Sequence, residues 1–302
     1  MYDLLLREPS SEGLGSSIPV WIHPDFLQAV ASLHGAKCWQ LICYKGEQLV
    51  AALPVFEKRN LGISRLISPQ IAYYQGLWFW WEEGRAPNRI LLDELRVIGE
   101  VAEYLKKRYR LLHFNLAPHN KDVRGFVWSG LKAKPLYTFV HNLGQPYCLL
   151  RDERKKLRLA EEQNYVWEER FAPRQFIDLH KSLYTRKGKQ FNIGYPELEQ
   201  WLCQLQQKKL LSQFNLVKDG EIVSSNIVLS GEAEDCAYTI MRSTREEDLR
   251  LGASTLHSKL LVETLAGRYR SLDFCGANTP EVARFKAAMG FQLQVFYQIS
   301  NR

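Results

Sequence analysis

The apolar residues of this chain follow two different periods. Residues 89–110 place them at positions 90, 91, 95, 98, 101 and 105, a helical spacing that predicts one amphipathic helix. Residues 48–56 form a largely apolar run after a Lys-Gly-Glu turn, and residues 221–230, half of them apolar, follow an Asp-Gly turn. Each segment predicts the second strand of a β-hairpin. Segments with the helical period alternate with predicted strands, which indicates a protein of the α/β class.

The same patterns give the remaining predicted elements. The other predicted helices cover residues 23–34, 121–129, 150–163, 174–185, 195–209, 254–269 and 280–289. The other predicted strands cover residues 39–44, 111–116, 137–143, 166–170, 213–218, 235–242, 271–274 and 291–299. Residues 1–20, rich in Pro, Ser and Gly, are expected to form an irregular lead-in. Both halves repeat one order of elements, so each is expected to form a mixed, mostly antiparallel sheet flanked by helices (an α+β arrangement).

The end of the chain repeats its middle. Moving the C-terminal segment back by 160 positions places Leu272 on Leu112 and aligns the two segments without a gap. A repeat of this length indicates two copies of one domain rather than a solenoid. The best linker is a Gly-Gln-Pro segment that begins at Gly144, so we expect an N-terminal domain at residues 1–143 and a C-terminal domain at residues 144–302.

Composition narrows the class of ligand without selecting one. The formal net charge of +7 permits a phosphorylated ligand, RNA or an anionic membrane surface. The six cysteines form no C-x-x-C pair, so no metal site is expected and the thiols are expected to be reduced. No apolar run approaches the roughly 20 residues of a membrane span, and no signal peptide is recognised, which predicts a cytoplasmic protein without a transmembrane segment. No heptad pattern indicates an oligomeric state.

Three segments carry a resemblance to a known family. Residues 272–278 read Leu-Asp-Phe-Cys-Gly-Ala-Asn, residues 283–286 read Ala-Arg-Phe-Lys, and residues 289–291 read Met-Gly-Phe. This order resembles the FemABX, or FemAB-like, family, in which two domains of the GNAT acetyltransferase fold stand in tandem and which includes peptidyltransferases of cell-wall (peptidoglycan) precursor synthesis. The resemblance covers about residues 20–300 and implies the compact form without a long helical hairpin.

The resemblance implies an acyltransferase that moves an acyl or aminoacyl group onto an amine. It implies no tightly bound cofactor. The donor would be acyl-CoA or aminoacyl-tRNA, and the acceptor a small molecule or a cell-wall or polysaccharide precursor. The alternative is a non-catalytic GNAT-like module that binds RNA or an acidic partner.

The resemblance gives Lys286 a catalytic role. The matching lysine of the family points into the acceptor cleft, where a cation stabilises charge that develops on the acyl carbonyl. Phe285 and Asn278 belong to the same motifs and are expected at the substrate. The alternative for Lys286 is a solvated helical lysine. The first copy has Gly125-Phe126 at the matching positions. If Lys286 is catalytic, only the C-terminal domain is active and the N-terminal domain helps to bind the acceptor.

A loop before a predicted helix is the candidate donor site, and it contains Arg250, Gly252, Ala253 and Ser254. Acetyltransferases bind the coenzyme A pyrophosphate at this place through backbone N–H groups. The usual motif is degraded here, since Leu249 stands three positions before Gly252. Either the loop binds phosphate, or Gly252 and Ser254 only cap the helix.

Five more residues are candidates, and three of them have a structural alternative. Asp273 is either a general base for the attacking amine or a partner of its own loop. Arg186 and Lys187 either contact phosphates of a nucleotide sugar, coenzyme or tRNA, or form a solvated face. Tyr73 and Tyr74 are expected to line the acceptor cleft. No covalent nucleophile is expected, because the family works by direct attack of the acceptor amine.

Overall fold

The computed structural model describes residues 2–15, 18–60, 62–231 and 234–302. The chain forms two compact units, which are unit 1 (Met1–Leu136 with Val295–Arg302) and unit 2 (Tyr137–Gln294). The expected division followed the linker at Gly144. Residues 137–143 nevertheless belong to unit 2, because Val140 pairs there with Asp273.

Unit 1 contains the hairpin and the long helix that the sequence predicts. Its strands are β1 (Asp3–Arg7), β2 (Lys37–Lys45), β3 (Gln48–Asn60), β4 (Ile63–Ile67), β5 (Trp78–Phe79) and β6 (Leu111–Asn115), and its helices are α1 (Pro24–His34), α2 (Pro87–Arg108) and α3 (Arg124–Trp128), with a 3₁₀ turn at Val20–Ile22. Strand β7 (Lys132–Asn142) begins in unit 1 and ends in unit 2.

The sheet of unit 1 has the strand order β1-β2-β3-β4-β6, followed by the last strand of the chain. The expected irregular lead-in is wrong for β1, since Leu5 pairs with Ile42 of β2. A five-residue strand gains its backbone partners from residues far along the chain, so local composition did not reveal it. Helix α2 packs its apolar stripe on the sheet, and its Val97 and Val101 lie in the core.

Unit 2 contains most of the helices. Its helices are α4 (Arg151–Glu161), α5 (Pro173–Arg186), α6 (Tyr195–Gln207), α7 (Glu246–Arg250), α8 (Ala253–Leu265) and α9 (Pro280–Ala288). Its strands are β8 (Val166–Glu169), β9 (Leu211–Lys218), β10 (Glu221–Leu229), β11 (Cys236–Thr244) and β12 (Ser271–Asp273), and β13 (Gln292–Ser300) begins in it and ends in unit 1.

The sheet of unit 2 has the order β7-β12-β11-β10-β9-β8, antiparallel except between β11 and β12. The predicted hairpin at Asp219-Gly220 is confirmed, because both residues have positive φ (54° and 81°), as a tight two-residue turn of this kind requires. The predicted mixed α/β architecture with helices around largely antiparallel strands is likewise confirmed.

Candidate active site in unit 2

The sheet of unit 2 opens between β11 and β12. The two strands pair only from Cys236 to Tyr238, while β11 continues to Thr244 on the side of β10 alone. The β10–β11 ladder also changes register, and Ile240 is the extra residue of a β-bulge. Bulges re-aim a strand and are common next to functional sites. The side chains around this opening are therefore candidates for chemistry.

Lys286 lies at the opening as a buried cation, 8% exposed. Its ammonium group donates to the backbone oxygens of Phe274 (2.5 Å), Cys275 (3.0 Å) and Gly276. An ammonium has three N–H donors, so the loop after β12 uses all of them. Direct contact of Lys286 with an acyl oxygen would require one of these carbonyls to be exchanged.

Burial lowers the pKa of Lys286 to about 8, and nearby Asp273 partly opposes that shift. Asp273 is also buried, and one of its carboxylate oxygens accepts from Thr138 Oγ1 (2.5 Å) and from the backbone N–H of Cys275 (2.8 Å). Cys275 and Gly276 have positive φ (34° and 70°). Lys286 and Asp273 therefore hold a loop whose backbone conformation is costly by itself.

Two further predicted residues also lie on this loop and on α9. Asn278 is exposed and pairs with the backbone of Tyr137, accepting from its N–H (3.0 Å) and donating to its oxygen (3.4 Å). Phe285 is half-buried, and the guanidinium of Arg242 lies 5.3 Å from the centre of its ring. The structure thus brings Lys286, Asp273 and Phe285 together around one loop.

The predicted donor loop before α8 is covered by α4. Gly252 has φ +82°, and a Cβ built on it would lie 2.1 Å from the backbone oxygen of Lys156. Ala253 is fully buried. Thr255 Oγ1 donates to a carboxylate oxygen of Glu153 (2.5 Å), a residue that is only 4% exposed. A carboxylate of α4 therefore already occupies the first turn of α8, where helix N–H groups favour an anion.

Two other residues of the predicted donor loop have partners within the protein. Arg250 is exposed and lies 3.5 Å from Glu246. Ser254 donates through its hydroxyl to Thr244 Oγ1 (3.2 Å), and its backbone oxygen accepts from Arg242. These contacts pack the start of α8 against neighbouring residues of the protein.

The basic loop after α5 carries three exposed cations, Arg186, Lys187 and Lys189. None of them forms an ion pair with the described residues. The pKa of Lys187 is lowered by burial and then by repulsion from Lys189 and Arg186. The three cations make this loop an electrostatically suitable place for an anion. Arg186 also lines a cleft of about 650 Å³ between α5, the β9–β10 turn and the end of β11, but carboxylates outnumber cations in the lining of that cleft, so the cleft itself does not favour an anion.

The predicted tyrosines belong to unit 1. Tyr74 is 1% exposed and contacts the rings of Trp21 and Phe296 edge-on, each at 5.2 Å between ring centres. Tyr73 is half-buried beside it. Tyr74 is thus a core residue, and Tyr73 keeps part of its surface accessible.

Sequence reasoning missed Arg242, Asn226 and Glu153. The available signal was polarity inside an apolar strand: β10 reads Glu-Ile-Val-Ser-Ser-Asn-Ile-Val-Leu, and β11 carries one arginine in its second half. A buried polar residue in a strand needs a partner or a function. Glu153 gave no such signal, because its helix is rich in charged residues.

The part of the chain that the structure describes contains neither a group of metal-binding side chains nor a helix able to span a membrane. Within those ranges, no three His, Cys, Asp or Glu side chains are grouped so that they could hold a metal ion. Among the same residues, no helix has both the length and the apolarity needed to cross a membrane.

The arrangement of two mixed sheets in tandem, with an opened pair of parallel strands in the second, is the tandem GNAT fold of FemAB-like proteins. No family model matches the sequence, and no curated protein matches it. Solved structures do match. The structure of FemX is 11% identical, with 91% of this chain and 90% of that chain covered and a TM-score of 0.65.

Two more structures share the fold. L-PGS from Bacillus licheniformis is 12% identical, with coverage of 98% and 93% and a TM-score of 0.61. A tandem GNAT protein from the clavulanic acid biosynthesis pathway is 12% identical, with coverage of 100% and 99% and a TM-score of 0.53. At these identities the likeness establishes the fold, and function has to be argued from the site.

Proposed function

We propose that this protein is an acyltransferase that moves an acyl or aminoacyl group onto an amine acceptor, with its reaction centre at the opening between β11 and β12. The fold is shared with FemX and with L-PGS, which supports transfer chemistry. The opening is bordered by the loop that Lys286 and Asp273 hold in place and by Arg242. Acyl transfer by direct attack needs such a polar, shaped wall and no protein nucleophile.

The observation that carries the choice of donor is the carboxylate of Glu153 at the first turn of α8. A coenzyme A pyrophosphate bound there would meet this carboxylate, which already pairs with the ammonium of Lys156 (2.6 Å), and the backbone oxygen of Lys156, which lies 2.1 Å from where a Cβ on Gly252 would be. The pyrophosphate would have to displace this backbone and would be repelled by the buried carboxylate. We therefore propose an aminoacyl carrier, such as aminoacyl-tRNA, and not acyl-CoA.

The cations of the basic loop support an anionic carrier or acceptor. Burial is the larger cause of the lowered pKa of Lys187, and repulsion from Lys189 and Arg186 adds to it; phosphate oxygens would relieve that repulsion. A nucleotide-linked cell-wall precursor and the tRNA carrier both supply such oxygens. The resemblance of residues 272–291 to a family that includes peptidyltransferases of cell-wall precursor synthesis makes a precursor of this kind the acceptor we favour.

We assign Lys286 and Asp273 the role of holding the reactive loop. Each makes its hydrogen bonds to the loop backbone or to a neighbouring strand. A rigid loop keeps the acyl group and the attacking amine in position, and misplacement by about 1 Å can cost roughly 100-fold in rate. The alternative role, stabilisation of the acyl oxyanion by Lys286, would require its ammonium to exchange one of these loop carbonyls for the acyl oxygen.

A thermal-shift panel tests the proposal with coenzyme A, acetyl-coenzyme A, a UDP-linked cell-wall precursor and bulk tRNA. A ligand present at 100 times its dissociation constant adds about 2.7 kcal/mol to the free energy of unfolding. We expect the melting temperature to rise with tRNA or the precursor and to stay unchanged with coenzyme A. A higher melting temperature with coenzyme A would show that α4 does not block the loop before α8. An acyl thioester would then again be a candidate donor.

The unpaired cations also favour a second candidate, a non-catalytic module that binds RNA. Incubation with tRNA carrying a radiolabelled amino acid and with the precursor separates the two. Label that moves onto the precursor supports the transferase. If tRNA binds tightly and no label moves to any amine in a panel of precursors, the binding module is the better description.

A further inference from the structure

Arg242 is a cation without a carboxylate partner. Its guanidinium donates to Ser258 Oγ (2.6 Å) and to the backbone oxygen of Ser254 (2.5 Å), both on α8, and it stacks over Phe285 of α9. No carboxylate oxygen of the described residues lies within 4.0 Å of it, and these bonds engage two of its five N–H donors. Burial lowers its pKa to about 10.

Glu153 is the carboxylate whose charge acts on Arg242 and raises its pKa against the effect of burial, but it forms no ion pair with the guanidinium. His257 is fully buried, and burial together with Arg242 lowers its pKa well below the usual value, so it is neutral. Burial raises the pKa of Tyr147 far above its usual value, which keeps the phenol neutral as well. Glu153 bonds to Thr255 and to a lysine of its own helix. A desolvated cation in such surroundings is costly unless a ligand completes the site.

Asn226 adds a second unsatisfied group at the same place. It is directly opposite Arg242 in the β10–β11 ladder, so the two side chains leave the same face of the sheet as a cross-strand pair. It is fully buried, and neither its amide nitrogen nor its amide oxygen has a hydrogen-bond partner in the described ranges. A buried amide without partners destabilises a protein more than an apolar residue of the same size.

The position of this pair relates it to the opening of the sheet. Arg242 lies four residues beyond Tyr238, the last residue of β11 that pairs with β12, and it contacts both helices that cover this region. Arg242 keeps part of its surface exposed, whereas Asn226 is fully buried. The pair offers several N–H donors and one amide oxygen acceptor side by side.

We infer that Arg242 and Asn226 form the subsite that recognises an aminoacyl group, with the acyl carbonyl oxygen accepting from Arg242 and the neutral α-amino group donating to Asn226 Oδ1. A simple alkyl acyl group would leave the Asn226 oxygen unpaired, whereas an α-amino acyl group gives that oxygen a donor and gives Arg242 an acceptor. This inference rests on the proposed transferase function, and it makes Arg242 and Asn226 the determinants of the transferred group.

The test compares two stable probes that differ only in the aminoacyl group. Puromycin carries an amino acid joined by an amide to an aminonucleoside, and puromycin aminonucleoside lacks that amino acid. Binding of both is measured by calorimetry on the full chain, on Asn226→Leu and on Arg242→Gln. Ser243→Ala is the matched control, because Ser243 is the next residue of β11 and faces the other side of the sheet by strand alternation.

We expect puromycin to bind the native protein at least tenfold more tightly than the aminonucleoside. Asn226→Leu should reduce that preference about tenfold, which corresponds to about 1.4 kcal/mol of binding free energy. Ser243→Ala should leave the preference unchanged. Asn226→Leu replaces an unsatisfied amide by an apolar side chain, so it remains informative even if Arg242→Gln fails to fold.

Equal affinity of both probes overturns the inference, as does an unchanged preference in Asn226→Leu. A crystal structure at saturating puromycin that shows only an ordered water between Asn226 and Arg242 does so too. If tRNA stabilises the protein while neither probe binds, the subsite is wrong and the transferase proposal stands. If neither tRNA nor the UDP-linked precursor stabilises it, both fail.

Discussion

Each unit contains one short pair of parallel strands, but the space beyond the pair is filled differently in the two units. In unit 1 the parallel pair β4 and β6 is also short, joining Leu66 to Leu112, but there the chain itself fills the space beyond it. Gln75 donates its backbone N–H to the oxygen of Asn115 (2.6 Å). The side chain of Asn120 accepts from the backbone N–H of Leu77 and donates to the backbone oxygen of the same residue. A Cβ on Gly76 would collide with Ala117.

The helices after these strands differ in the same way. Phe126 of α3 is 1% exposed and packs against Phe114, and a Cβ on Gly125 would already lie 2.6 Å from Ile98. The positions that match Phe126 and Gly125 in unit 2 are Lys286 and Phe285. One unit closes this region with apolar packing, whereas the other keeps polar groups there at an energetic cost. The difference supports the proposal that transfer chemistry belongs to unit 2.

The largest loss of stability is expected when a lysine is placed in unit 1 at the position that matches Lys286. Phe126→Lys removes a core aromatic ring and buries a charge with no carbonyls to receive it, so we expect the free energy of unfolding to fall by at least about 5 kcal/mol. Urea denaturation measures the change. Val127→Lys is the control, because Val127 is 47% exposed on the same helix and should change stability by less than about 1 kcal/mol. Similar effects of the two substitutions would contradict the packing described for α3.

Removing the lysine from unit 2 should cost less and should depend on pH. Lys286→Met leaves three loop carbonyls without their donor, and we expect a loss of about 3 kcal/mol at neutral pH. Because the pKa of Lys286 is lower in the folded protein, the unfolded chain holds more protons between pH 8 and 10.5. The stability of the native protein relative to Lys286→Met should therefore rise with pH across that window. A flat difference from pH 7 to pH 11 in urea denaturation would contradict the burial of this group.

The covering of the donor loop is tested by two glycines with the same backbone angle. Gly252 has φ +82° against the backbone of Lys156, whereas Gly130 of unit 1 has φ +83° with open space around it. Gly130→Ala should cost about 1 kcal/mol from the backbone conformation alone. Gly252→Ala should cost about 2 kcal/mol more, because α4 has to move. Equal losses in thermal melts would mean that α4 is displaced easily, and coenzyme A would then regain its place as a candidate donor.

Much of the fold could be predicted because its signals are local. The period of α2, the Asp219-Gly220 turn and the repeat of the C-terminal strand, helix and strand each lie within short stretches of sequence. Strand β1 escaped prediction because its partners, such as Ile42, lie far along the chain. Strand β4 escaped because the segment around it has no clear period.

The candidate site was predictable only in part. Lys286 and Asp273 were found through their motif, and the structure places both at the loop after β12. Their partners could not be found, because backbone carbonyls are present at every residue and leave no trace in the sequence. The contact of Glu153 with Thr255 spans 102 residues and joins two helices, so no local pattern announces it.

The sequence by itself therefore determined that two copies of one α/β domain stand in tandem and that only the second carries a lysine at the repeated position. Periodicity and turn chemistry suffice for this, since they act over a few residues. Only the tertiary structure decided that Glu153 binds Thr255 in the first turn of α8 and that Asn226, which has no hydrogen-bond partner among the described residues, lies opposite Arg242 on β11. Such contacts depend on which distant surfaces pack together, and that is settled by the whole fold.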